Sequence, residues 1–186
     1  MISFDAAGVT VRVDDETLRE VVEDADGLAA WCAAHPEDPR TVAYLRMLGR
    51  LDEAAAAARR TLHGSMPPLV RAVRRTRYAH VLQWQGAYAA AEELLDLAAE
   101  ETGLDDPTSP SSLSVLASVF QHRAKCRFEH AALLRRSGRP MAARRLRDLA
   151  LEDARRALMM RENLGVADEG QIASSRQTVA RLERAE

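Results

Sequence analysis

The sequence is poor in several things at once, and each shortage closes off a class of function. Lys125 is the only lysine among 26 basic residues, a bias that follows a GC-rich genome more readily than a demand for guanidinium chemistry. The two cysteines, Cys32 and Cys126, lie far apart with no CxxC spacing, which gives no basis for a disulfide framework or a zinc knuckle. No apolar run approaches the ~18 residues that a membrane helix needs. Met1–Asp5 carries neither the basic nor the apolar stretch of a secretion signal, so a soluble cytoplasmic protein is expected. Catalytic signatures are missing too: there is no GxSxG, HExxH, P-loop or GxGxxG. Glu92 with Glu93, and Glu129 with His130, are adjacent pairs that diverge on a helix, so neither forms an acid–base dyad. The expectation is a non-enzyme with no cofactor.

One spacing invites a metal. His122, Cys126 and His130 recur at every fourth position on one helix face. The outer two stand about 12 Å apart at a rise of about 1.5 Å per residue, too far to share one ion at bond lengths of about 2.0–2.3 Å. No further ligand is identifiable, so these residues are assigned to packing between helices and no metal is expected.

Hydrophobic residues make up 47% of the 186 positions but aromatics only 4%, which leaves alanine, leucine and valine as the apolar stock. Alanine is the best helix former and lets helices approach closely. This composition suits stacked helical hairpins better than one large core. Ile2–Phe4 and Val9–Val13 alternate around a Gly8 turn and predict a small β-hairpin. A helix then follows from Asp14 or Asp15, with Leu18, Val21, Val22, Leu28 and Trp31 as its apolar positions and Gly27 as a point of division. His35–Pro39 is a stop. Beyond it the pattern predicts helices over about 40–48, 52–63, 69–85, 88–102, 113–136, 140–163 and 168–184. Loops fall at Gly64–Pro68 and Gly103–Ser112, and Gly165 ends the penultimate helix.

Three of the helix junctions echo one another: Leu48-Gly49-Arg50-Leu51 leading to Ala54, Gln85-Gly86-Ala87-Tyr88 leading to Ala91, and Ser137-Gly138-Arg139-Pro140 leading to Ala143. Each sets a glycine before an apolar residue or proline and an alanine five places on. Ala79, Leu82, Gly86, Tyr88, Ala91, Leu95 and Ala98 fill the small, apolar and turn positions of a tetratricopeptide repeat, and Ala131, Leu134, Gly138, Ala143 and Ala150 do so again. Leu45, Gly49, Leu51 and Ala54 make a weaker third set, with Val42 and Thr61 departing from it. The glycines are spaced by 37 and then 52 residues, against a period of about 34 in that family. Ala157–Gly165 resembles the longer repeats of the kinesin-light-chain type. Residues 40–184 thus resemble degenerate tetratricopeptide repeats. The resemblance implies an all-α, right-handed superhelical solenoid over 39–186, preceded by an N-terminal hairpin and capping helix over 1–38.

Charge is arranged in blocks although the net is only −2. Residues 1–38 carry a net of −8, 59–80 a net of +6, 92–106 a net of −7 and 123–161 a net of +8. The blocks offer either a nucleic-acid patch or helices of opposite sign pairing across the stack, and the small net charge favours the second. Arg144 with Asp148 and Glu152 with Arg156 are spaced as helical ion pairs of a solvated face.

The resemblance also places a concave groove on the first helix of each hairpin. Carried onto this sequence it comprises Arg46, then Thr76, His80, Gln83 and Trp84, then Lys125, Phe128, Arg135 and Arg136. Arginine and lysine beside Trp and Phe suit an acidic or C-terminal peptide with apolar anchors, while core packing is the competing role for Trp84 and Phe128. A chaperone-type carboxylate clamp needs asparagines, and Asn163, outside the groove, is the only one. The reading is therefore a non-catalytic scaffold for another protein or peptide, with no membrane role. A ligand-sensing regulatory module is the alternative, and nucleic-acid binding through the Arg-rich helices is the weaker third. The hairpin edge and a last helix with no successor, striped by Ile172, Val179 and Leu182, also predict a homodimer.

Overall fold

A two-residue turn starts the chain's structure. Ala7 and Gly8 both take positive φ, 56° and 82°, as a type I′ hairpin requires, and the Asp5 carboxylate accepts the Gly8 N–H at 3.1 Å. The turn joins β1 (Ile2–Ala6) to β2 (Val9–Val13) with Ile2 opposite Val13 and Ala6 opposite Val9. Val9, Val11 and Val13 alternate inward and are buried. The computed structural model describes residues 2–104, 106–164 and 169–184. Gly165, the expected stop of the penultimate helix, lies outside the described residues.

The helix expected from Asp14 does not form. Asp14 Oδ1 accepts instead from the N–H of Glu16 and from both the N–H and hydroxyl of Thr17, which closes a turn. Glu20–Val22 then becomes β3, antiparallel to β2 with Val22 opposite Val11. The adjacent β-branched Val21 and Val22 favour a strand, and the open edge of β2 supplies its ladder. Helix α1 (Ala25–Ala34) starts later, capped by Asp24, whose carboxylate accepts the Gly27 N–H at 2.9 Å. Gly27 therefore sits in a first turn and divides nothing.

Seven further helices follow among the described residues: α2 (Thr41–Met47), α3 (Leu51–Thr61), α4 (Pro68–Trp84), α5 (Tyr88–Thr102), α6 (Pro110–Arg136), α7 (Pro140–Leu164) and α8 (Glu169–Arg184). The α6 start comes earlier than expected because Ser109 caps it, its hydroxyl accepting the Ser112 N–H at 3.1 Å. The three echoed junctions fold alike. Gly49, Gly86 and Gly138 have φ of 73°, 79° and 72°, and their N–H groups bond the carbonyls of Arg46, Gln83 and Arg135. The next residues, Arg50, Ala87 and Arg139, each bond six-to-one to Leu45, Leu82 and Leu134 at 2.9 Å. This is the Schellman ending, which a left-handed glycine permits. It turns α2 into α3, α4 into α5 and α6 into α7, and successive helices pack on one another through to α8.

Alanines make the close approaches: Ala54, Ala79, Ala91, Ala98, Ala124, Ala150 and Ala154 are fully buried, and Ala131 and Ala143 nearly so. One core joins the sheet to α1, α2, α3 and Val81 of α4, another joins α4, α5 and α6, and a third joins α6, α7 and α8. Of the α8 stripe, Leu182 faces inward, and Ile172 and Val179 are half-buried. Leu182, Ser175 and Thr178 are 1%, 0% and 0% exposed, and α8 packs on α7, α6 and β1.

The charge blocks pair across neighbouring helices. Arg71 and Arg75 meet Glu101 at 3.4 Å, Arg123 and Arg127 meet Asp153 at 2.9 and 2.7 Å, and the same two arginines reach Asp96 and Glu92. Glu152 and Arg156 pair at 2.7 Å, whereas no ion pair joins Arg144 to Asp148 among the described residues.

Candidate functional site

Helices α2, α4 and α6 turn polar side chains toward one another, and the turn between β2 and β3 lies over them. Arg46 of α2 meets Glu20 at 2.8 Å, with side chains 3% and 9% exposed. Lys125 of α6 donates to the Leu18 carbonyl at 3.2 Å. Gln83 of α4 donates to Glu129 Oε1 at 2.9 Å, and Arg19 donates to both oxygens of that carboxylate, its Nε–H sharing Oε1 at 3.2 Å. The guanidiniums of Arg46 and Arg19 lie 4.6 and 4.8 Å from the Trp84 ring centroid, a cation–π arrangement. His80 packs on His122 with centroids 4.4 Å apart.

The electrostatics of this cluster are mutually enforced. Burial alone would raise the Glu20 carboxyl, but Arg46 above all, with Lys125 beside it, outweighs that and holds the group well below the usual carboxylate range. Burial and the nearby Arg46 keep His80 well below the ordinary imidazole range. Burial and Lys125 bring His122 down to about 3. Both imidazoles are neutral near pH 7, and burial also lowers Lys125.

Beyond the cluster the groove opens into a cleft of about 470 Å³. Its apolar floor is Phe128, Ala131 and Ala132 of α6 with Pro140 and Ala143 of α7, and its rim is Arg135, Arg144, Arg147 and Arg181. Arg181, on α8, stacks 5.0 Å from the Phe128 centroid. The side chains of Arg135, Arg144 and Arg147 have no ion pair or hydrogen-bond partner among the described residues. Among the described residues no acidic side chain lines the cleft. An apolar floor under guanidiniums of which three are unpaired is suited to carboxylates or phosphates carried on a partly apolar ligand.

The structure brings together Arg46, His80, Gln83, Trp84 and Lys125, but under cover of residues 14–20 rather than open to a partner. Phe128 and Arg135 line the open cleft. Thr76 stays apart, its buried hydroxyl bonding back to the Ala72 carbonyl at 2.8 Å, and Arg136 is exposed outside the cleft lining. His122 packs on His80, whereas Cys126 and His130 both meet Tyr88, at its carbonyl and at its ring 5.1 Å away. Burial pushes the Cys126 thiol up to about 12, which makes it inert. The sequence reading missed Arg19, Glu20, Glu129, Arg144, Arg147 and Arg181. Arg144 and Arg147 carried only the signal of a charged helix face. No protein-family model, no curated protein and no solved structure matches this chain.

Proposed function

We propose that this chain is a non-catalytic binding scaffold of tetratricopeptide-like hairpins, and that it takes an acidic segment of another protein in the arginine cleft. The observation that carries this is the cleft rim: three arginines without partners among the described residues, and a fourth shared with Glu16, over a Phe128 floor. Arg71, Arg75, Arg123 and Arg127 find acids on neighbouring helices; what marks the cleft among the remaining arginines is that its unpaired guanidiniums surround an apolar floor. An apolar side chain of the partner would rest on Phe128 and Ala132 while its carboxylates take Arg135, Arg144 and Arg147. The repeated Schellman turns and buried alanines support the repeat-like stacking that would shape such a groove.

The test is fluorescence anisotropy with a labelled, lysine-free octapeptide of aspartate and glutamate bearing two leucines. Binding is expected at low salt and to weaken as salt rises. Arg144→Glu is expected to weaken it at least tenfold, since charge-assisted hydrogen bonds contribute about 1.5–3 kcal/mol each. A single-stranded oligonucleotide that binds more tightly than the peptide, or peptide binding indifferent to Arg144→Glu, overturns the reading.

A further inference from the structure

The groove already holds a segment of the chemistry just described, and it is the chain's own. Asp14–Glu20 carries four acids around one buried apolar side chain, Leu18, which is 2% exposed. Its contacts reach four helices: Glu20 to Arg46 on α2, Arg19 over Trp84 on α4, Leu18 and Arg19 to Lys125 and Glu129 on α6, and Asp15 and Glu16 to Gln177 and Arg181 on α8.

The fit is uneven. Leu18 takes a positive φ of 59°, uncommon for a residue with a side chain. Beneath the segment Trp84 Nε1, Gln83 Oε1 and His122 Nδ1 are buried with no hydrogen-bond partner among the described residues. Such orphaned groups weaken an occupant relative to one that satisfies them. A segment tethered to its site stays despite that, because its effective concentration is high.

Arg181 belongs to this segment and to the cleft together. Its Nε–H bonds the Glu16 carbonyl at 2.9 Å and its guanidinium meets the Glu16 carboxylate at 3.1 Å, yet it also lines the cleft over Phe128. The Glu16 side chain is 74% exposed, so that contact is the weak end of the segment's hold. A carboxylate entering the cleft competes with Glu16 for one guanidinium.

We propose that Asp14–Glu20 is a tethered competitor for the groove, and that an acidic segment bound in the arginine cleft raises the small population in which it is open, by taking Arg181 from Glu16. Release uncovers a second binding patch for the same acidic, apolar-anchored chemistry, made by Arg46, Trp84 and Lys125. The inference rests on the cleft reading above. Linkage makes it reciprocal: whatever factor the cleft ligand gains from release, it gives to opening of the segment.

Lys125 reports the opening directly. As the only lysine in the chain, it and the α-amino group are the amine targets of an acylating reagent, and mass spectrometry separates the two. In the native protein Lys125 is expected to be protected. The octapeptide should speed its acylation at least threefold and raise amide hydrogen exchange over residues 16–20. Glu16→Ala without peptide should speed acylation about two- to fivefold, the range of an exposed ion pair. Peptide binding that leaves both Lys125 acylation and exchange unchanged overturns the coupling while the cleft reading stands. Absence of peptide binding overturns both. An unchanged Lys125 rate in Glu16→Ala removes Glu16 and Arg181 as the point of release.

Discussion

Glu20 and Arg46 form an ion pair at 2.8 Å with both side chains all but closed to solvent, joining β3 to α2 beneath the turn of residues 14–19. Taking two charges out of water is costly, and only their mutual attraction and further hydrogen bonds offset it. Removing one partner strands the other. Arg46→Met is expected to cost about 3–5 kcal/mol, and adding Glu20→Leu to it should recover most of that loss. Urea unfolding of the two single variants and the double variant measures this, with the coupling read from the cycle. Single-variant losses below about 1 kcal/mol would mean that water reaches the pair.

The hairpin turns and crossings respond differently to substitution. At Gly86, φ is 79° with open space where a Cβ would stand, so Gly86→Ala meets backbone strain alone and should cost about 1–2 kcal/mol. Ala91 is fully buried at the α4–α5 packing, so Ala91→Leu overpacks it by about 1–3 kcal/mol. Ala90, one residue away, is exposed, and Ala90→Leu should shift stability by no more than about 0.5 kcal/mol. Thermal melts of the three variants should preserve that contrast, and equal melting temperatures for Ala90→Leu and Ala91→Leu contradict the helix facing.

Much of this was legible because its causes are local. A Schellman ending needs a residue that tolerates the left-handed region, and glycine announces it at positions 49, 86 and 138. The turn over the groove was not legible, because Asp14 followed by Thr17 gives one signal for two structures. An aspartate accepting N–H groups two and three residues on is either a helix cap or a tight turn. The decision fell to the open edge of β2, which is a tertiary fact. Arg144 and Arg147 were equally opaque. On α7 alone they read as a solvated face, and only the position of Arg181 on α8 makes them one side of a cleft. Arg46 and Lys125 were placed in the groove, but the segment that covers them is distant in sequence from both.

Acid should loosen the fold, and the sign follows from the histidines. His80 and His122 are held below the ordinary imidazole range, His122 at about 3, while unfolded histidine titrates near ~6.5. As pH falls below about 6.5 the unfolded chain takes up protons that the folded chain refuses. Stability is therefore full at neutral pH and declines progressively down to about 3. Glu20, lowered as well, adds a loss in the same direction below the unfolded carboxylate value of about 4.3. Glu101, raised by burial against Arg75 and Arg71, gives a smaller opposing gain. Each depressed group contributes at most about 1.4 kcal/mol per pH unit within its window. Urea midpoints should fall between pH 7 and pH 5, and His122→Gln should flatten the slope. A midpoint constant over that range contradicts the burial of both imidazoles.

Two neighbouring arginines separate the cleft from general electrostatics. Arg135 lines the cleft and Arg136 does not, although both are exposed and both end the same helix. Long-range attraction of an acidic peptide depends on net charge and falls with the Debye length, so at low salt it weakens alike for either substitution. A direct charge-assisted contact distinguishes them. Arg135→Glu is expected to weaken octapeptide binding at least tenfold at about 0.15 M salt, and Arg136→Glu by less than about threefold. Neither should alter the melting temperature appreciably, since exposed charges contribute little to stability. Anisotropy titrations of the two variants in parallel decide the matter. Equal losses would assign the binding to the basic surface as a whole, and a loss confined to Arg136→Glu would move the ligand out of the Phe128 cleft.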